Sequence, residues 1–262
     1  MLHRAGRKTK LLPKLLSLFP NDIDCFIDLF MGSGAVTFAM VPKVKYVISN
    51  DIEEDIFNLF IVLKEQSNEL IDKIITTPVH ESIFKYWKKH CEETAVYRAI
   101  RFLYLSNYSI YGNFETMTQG CYNEKNILLE NINKHLDLIY KPRYLCSDFR
   151  DVFNKFGFGP KEMNKSKCLI YADPPYLETD NKYNNHFTLK DTQDLFELLV
   201  NFNTKFAISE FDNPIILDLA KSYGLNVINL GERRNIFNRR IEILITNYAV
   251  CDKPINQIEI KI

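Results

Sequence analysis

Short apolar runs recur along the chain at 25–29, 46–49, 144–147, 168–172, 205–209, 226–230 and 242–248, with helical stretches between most of them. Parallel strands need a crossover of a dozen or more residues, usually a helix, so this alternation predicts an α/β fold with a doubly wound, mostly parallel sheet. Only RNIFNRR and its neighbours separate the last two runs, which leaves no room for a crossover helix. Those two are expected to form an antiparallel hairpin at a sheet edge.

From about residue 57 to 140 the strand signal disappears. ELIDKII, SIFKYWKKH, TAVYRAIRFLYL and LLENINKHLDLI place apolar residues three and four apart, the spacing of amphipathic helices. The expectation is a sheet domain built from residues 1–57 and 141–262, with a helical domain, 58–140, inserted after the second strand. Inside it, SNYSIYGNFETMTQGCY (106–122) is polar, aromatic and short of helix formers, and reads as an ordered loop whose side chains could meet base edges or stack on bases.

With 262 residues, 46% of them hydrophobic, the chain can bury one large core or a domain carrying a sizeable insertion. No apolar stretch approaches the roughly 18 to 20 residues that span a bilayer, and the N-terminus lacks the apolar core of a signal peptide. The chain is expected in the cytoplasm. Six scattered cysteines and five histidines show no metal-ligand spacing, so reduced thiols and no metal are expected. Formal net charge is zero, yet Arg4, Arg7, Lys8, Lys10 and Lys14 cluster near the start, and Arg233, Arg234, Arg239 and Arg240 near the end, without intervening acids. Each cluster is a solvated face or a set of phosphate contacts.

Two strand ends carry the chemistry, because ligands of open α/β sheets bind beyond the carboxyl ends of strands. The run CFIDLF breaks into Met31-Gly32-Ser33-Gly34-Ala35, a glycine-rich strand-to-helix turn that lets a cofactor approach the backbone. The run CLIYA ends in Asp173-Pro174-Pro175-Tyr176, which sets a carboxylate, a rigid turn and an aromatic ring at one spot. An exocyclic amine on a heteroaromatic ring is a poor nucleophile because its lone pair is delocalised. Asp173 and the carbonyl of Pro174 could accept both amine hydrogens, localise the lone pair and aim it at an electrophilic methyl group. Tyr176 would stack on a base drawn out of its duplex. Asp51, at the end of the second run, could accept from ribose hydroxyls or cap the next helix. Asp148-Phe149, after the third, offers an acceptor and a ring face for a purine, or another helix cap.

In this order the segments resemble the D12-class, Dam-like DNA adenine-N6 methyltransferases of bacteria and phages, over nearly the whole chain. Ala5-Gly6-Arg7-Lys8 with KLLPKL is similar to the family's AGGK segment, with Arg7 where the family has a glycine. DLFMGSGAV from Asp28 resembles its methionine-site motif, and Asn50-Asp51 its ribose-binding acid. Asp148-Phe149 resembles its cofactor-adenine pair, Asp173 to Tyr176 its catalytic motif, and RRIEILITNY from Arg239 its late strand.

The resemblance implies a class I S-adenosylmethionine-dependent methyltransferase fold. It implies S-adenosylmethionine as methyl donor, with Asp28, Phe30, Gly32 and Gly34 at its methionine part, Asp51 on its ribose, Asp148 and Phe149 at its adenine, and Lys8 near the cofactor and target base. It also implies double-stranded DNA as partner, bound as a monomer or weak dimer, with the helical insertion reading the sequence. Arg98, Arg101, Asn107, Tyr108, Tyr111, Asn113, Thr116, Gln119 and Arg239 are the residues expected to contact DNA. YGNFETMTQGCYNEK has no clear counterpart of the GEFNxPxG(R/K) segment of GATC readers, which leaves GATC and other adenine-containing sites open.

Other readings are weighed by the same residues. Guanine-N2 RNA methyltransferases carry similar motifs but usually lack a helical insertion at this place. Glutamine-directed enzymes favour Asn at the position of Asp173. An idle DNA-binding relative has no need of the Asp173, Gly32, Gly34 and Asp51 set, and a nicotinamide-dependent dehydrogenase leaves the Pro-Pro turn unexplained.

Overall fold

The computed structural model describes residues 8, 11–118, 124–155, 164–177, 187–234 and 239–250. In chain order the elements are α1 (Leu12–Leu18), β1 (Cys25–Asp28), α2 (Ala35–Met40), β2 (Tyr46–Asp51), α3 (Glu54–Glu65), α4 (Ser67–Thr76), α5 (Glu81–Lys89), α6 (Ala95–Asn107), α7 (Glu124–Ile139), β3 (Arg143–Cys146), β4 (Cys168–Ala172), α8 (Leu189–Phe202), β5 (Lys205–Phe211), α9 (Pro214–Ser222), β6 (Asn226–Arg234) and β7 (Arg239–Thr246). The strands form one seven-stranded sheet in the order β3-β2-β1-β4-β5-β7-β6.

β1 to β5 pair in parallel, whereas β7 runs antiparallel to both β5 and β6. The expected hairpin is therefore present, but its second strand lies inside the sheet and only β6 forms the edge. A bulge between Asn229 and Gly231 shifts the register of that hairpin, and Gly231 supplies the φ of +126° that the irregularity requires.

Both faces of the sheet are covered, and alternate strand residues divide between two cores. Phe26, Val47, Tyr144, Leu169 and Tyr171 face one core with α1 to α7; Cys25, Ile27, Ile48, Cys168 and Ile170 face the other with α8 and α9. Full burial of a side chain such as Phe26 contributes roughly 1.5–3 kcal/mol, which explains why β1 and β4 stay buried along their whole length.

Helices do occupy the 57–140 region, and they share the sheet's first core. Phe60 of α3 stacks on Tyr144 of β3 at 5.4 Å, and Leu70, Trp87, Ile100 and Ile132 belong to the same cluster as Phe26. The junction expected between residues 57 and 58 falls inside α3, because α3 is a crossover helix lying on the sheet and periodicity does not separate such a helix from those that follow it. Of the 106–122 loop, Ser106 and Asn107 belong to α6 and a bridge between Ser109 and Met117 closes a turn, while 119–122 lie outside the described residues.

Candidate active site

The strand order reverses between β1 and β4, the two neighbours at the centre of the sheet. A crevice opens beyond their carboxyl ends at such a switch point. The Met31–Gly34 turn follows β1 and Asp173–Tyr176 follows β4, so the topology brings both chemical segments to one crevice.

On the β1 side, Gly32 and Gly34 have φ of +51° and +75°. A Cβ on Gly34 would stand 2.5 Å from the ring of Phe38, so both the conformation and the space demand glycine there. Asp51, at the end of β2, fastens the turn. Its Oδ2 accepts from the Gly32 N–H at 2.8 Å, while Oδ1 accepts from the Glu53 N–H at 3.0 Å. Beneath the turn, Asp28 is almost fully buried. Its Oδ2 accepts from the Thr37 hydroxyl at 2.7 Å, and Oδ1 is buried without a hydrogen-bond partner. Burial foremost, then repulsion from Asp173 and Asp51, pushes the Asp28 carboxyl up to about 7.

Farther along the crevice, Phe30, Phe149 and Phe187 make an aromatic wall with ring centroids 5.7–5.9 Å apart. Asp148 Oδ1 accepts from the Arg150 N–H at 2.9 Å, and the Arg150 guanidinium ties Asp148 to Asp191 and Asp194 of α8. The acid's carboxylate is thereby held in place beside the Phe149 ring.

On the β4 side, Lys8 comes in from the far N-terminal end of the chain. Its ammonium is 4% exposed and lies 2.6 Å from Asp173 Oδ1 and 2.9 Å from Glu242 Oε1. It also donates to the Tyr176 hydroxyl, which in turn donates to Glu242 Oε1 at 2.8 Å. The Tyr176 ring is largely buried and packs edge-on to Phe211 at 4.5 Å. Pro174 is buried at the turn. Burial raises the Asp173 carboxyl above the ordinary carboxylate value, and the ammonium of Lys8 opposes that rise. Beside Tyr176, a cavity of about 170 Å³ is lined by Phe211, Asp212, Asn213, Pro214 and Arg240, with the Arg240 guanidinium 5.5 Å from the Phe211 ring centre.

Sequence reasoning missed Glu242, Phe211 and Glu210. A lone Glu in a strand of alternating character reads as outward-facing, and only the long-range pairing of β7 with β5 reveals that it is buried. Glu210, also buried, accepts from the Phe211 N–H at 3.0 Å, and burial pushes its carboxyl up to about 8.

Of the residues expected to contact DNA, several of the described ones bond within the protein. Arg101 donates through Nε to the Trp87 and His90 carbonyls at the end of α5, both at 2.8 Å, and Arg98 donates to Asn58 Oδ1 at 3.1 Å. Tyr108 is 5% exposed and packs on Tyr104, while Asn107 bonds the Leu103 carbonyl. The arginine contacts join α6 to α3 and to the end of α5, whereas those of Tyr108 and Asn107 stay within α6 and its C-terminal end. Asn113 Oδ1 accepts from the Glu115 N–H inside the loop, and Thr116 is exposed. Gln119 and the side chains of Tyr111 and Arg239 lie outside the described residues.

This strand order, with its penultimate position taken by a reversed last strand, is that of a class I methyltransferase. The chain belongs to the D12 class N6 adenine-specific DNA methyltransferases, whose family model matches residues 5–236. It is 28% identical to the modification methylase StsI of Streptococcus sanguinis over 94% of its own length and 42% of that protein's. It is 26% identical to the type II methyltransferase M.FokI of Planomicrobium okeanokoites, over 95% and 42%. The chain thus spans about two-fifths of those two relatives. A DNA adenine methylase of Haemophilus influenzae is 25% identical over 78% of this chain and 75% of its own.

Proposed function

We propose that the protein transfers a methyl group from S-adenosylmethionine to N6 of an adenine drawn out of duplex DNA at a specific site. The observation that carries this reading is Asp173 just after β4, a half-buried carboxylate facing the same crevice as the glycine turn and Asp51. Support for the cofactor comes from Gly32 and Gly34, which keep the turn free of side chains, from the orphaned buried Oδ1 of Asp28, and from Asp51 at the neighbouring strand end. Asp51 would take the ribose hydroxyls and Asp148 with Phe149 the adenine end, where Phe30, expected at the methionine part, packs on the Phe149 ring. The bound cofactor supplies a methyl group on a positively charged sulfur.

The remaining chemistry belongs to the chain. Asp173 and the Pro174 carbonyl accept the two amine hydrogens and localise the nitrogen lone pair, and the Pro-Pro turn fixes both acceptors without further reorganisation. A carboxyl raised by burial is the stronger base, which suits Asp173 to accept the proton that N6 loses. The cavity beside Tyr176, with the Phe211 ring and the Arg240 cation, offers a stacking face and a phosphate contact to the target strand.

The exposed loop residue Thr116, together with Tyr111, Asn113, Gln119 and Arg239, remains on offer for duplex contacts, with the 58–140 segment choosing the sequence and 1–57 with 141–262 performing the transfer. The test is purified protein with methyl-labelled S-adenosylmethionine and duplex DNA free of adenine methylation. Label is expected in N6-methyladenine. Asp173→Ala should lower transfer at least 100-fold, the scale of losing one aimed polar group, while cofactor affinity stays within about twofold. Loss of cofactor binding in step with activity would overturn the assignment.

A further inference from the structure

In the described state one ammonium serves two acids. Lys8 Nζ stands 2.6 Å from Asp173 Oδ1, where the amine nitrogen of a base would have to sit, and 2.9 Å from Glu242 Oε1. A base cannot use that oxygen until the ammonium leaves it, and a buried cation cannot leave its anion without another to receive it. Glu242 is the receiver at hand. It is fully buried on β7, between Phe211 of β5 and Gly231 of β6, and cannot swing to solvent. Its Oε1 already holds both Lys8 and the Tyr176 hydroxyl. The adjacent Glu210 carboxyl accepts from the Phe211 N–H and feels the Lys8 charge, but it makes no ion pair with Lys8, whose ion-pair partners among the described residues are Asp173 and Glu242.

We propose that Glu242 is a positioning residue that retains Lys8 and Tyr176 while Asp173 exchanges the lysine ammonium for the amine of the incoming base. The inference rests on the adenine-methyltransferase reading. Glu242 touches neither base nor cofactor. Its role is to keep the Lys8 charge compensated when Asp173 changes partner, so that Lys8 guards the empty site without blocking the filled one.

The experiment is a double-mutant cycle in the full chain, using Glu242→Gln, Lys8→Met and both together. The DNA is a duplex built on the sequence that the wild-type protein methylates in a methylation-free host, with adenine kept at the target and 2-aminopurine as its neighbour on the same strand to report extrusion. Cofactor affinity is read in parallel with S-adenosylmethionine. Glu242→Gln should lower extrusion and single-turnover transfer about tenfold or more, because the ammonium is then left with Asp173 as its ion-pair partner among the described residues. Cofactor affinity should stay within about twofold. In the Lys8→Met background the same change should have almost no further effect on extrusion, a coupling that a merely structural glutamate would not show.

Wild-type behaviour of Glu242→Gln, or an equal loss with and without Lys8, overturns the proposal. Should Glu242→Gln fail to fold, Glu242→Asn, which also removes the charge, enters the same cycle with the same criteria. A wild-type protein that methylates no adenine defeats the functional reading itself, whereas methylation insensitive to Glu242 defeats only this inference.

Discussion

The carboxyl edge of the sheet and the helical segment both carry charged residues among apolar ones, and they use them in opposite ways. At the sheet edge Asp51, Asp173 and Glu242 stand at strand ends or inside strands, and their partners come from distant parts of the chain. In the helical segment Arg98 and Arg101 bond neighbouring helices and a helix terminus. The first arrangement concentrates charge where a ligand must enter. The second satisfies backbone carbonyls that would otherwise be orphaned at the end of α5. Charge in a sequence thus marks a site only where the topology gathers it.

That difference can be broken at several points. The largest effect on folding is expected at the glycine turn, where Gly34→Val meets both a φ of +75° and the ring of Phe38. It should cost about 1–3 kcal/mol or more, measured by chemical unfolding, and should weaken S-adenosylmethionine binding with it.

Arg101→Ala comes next, at about 1–3 kcal/mol of stability, because it strips a charged donor from two carbonyls. Its DNA affinity should keep the wild-type salt dependence. Arg240→Ala should do the reverse, leaving stability nearly unchanged while lowering the slope of log affinity against log salt by about one. A loss of slope in Arg101→Ala instead would place the phosphate-binding face on the helices.

The smallest effect is a displacement of the pH profile. Transfer requires ionised Asp173, whose carboxyl burial raises and Lys8 lowers. Removing the cation in Lys8→Met raises it further, so the acid limb of kcat/KM should move to higher pH. A limb that stays in place, or moves down, would mean that Lys8 does not act on Asp173 in the free enzyme.

What could be read in advance follows the same division. β1 and β4 were legible because apolar runs end abruptly in Gly-Ser-Gly and Asp-Pro-Pro-Tyr, local signals that fix both the strand and its turn. Glu242 was not, since its neighbours Ile241 and Ile243 make it look like the outward half of an alternating edge strand. Its burial is decided by β7 inserting between β5 and β6. Tyr108 sat in a stretch whose polar and aromatic character suits a DNA surface equally well, and Arg101 in the amphipathic helix before it; only the packing of α6 on its neighbours turned them inward. Lys8 was placed near the pocket by family resemblance, but its bridge to two acids depends on a strand at the other end of the chain.

The most direct measurement is to express the chain in a host without adenine methylation and map modified bases at single-nucleotide resolution, beside an Asp173→Ala control. The account predicts N6-methyladenine in one short motif from the wild type and none from the control. Unmodified DNA from soluble protein that binds S-adenosylmethionine would contradict it.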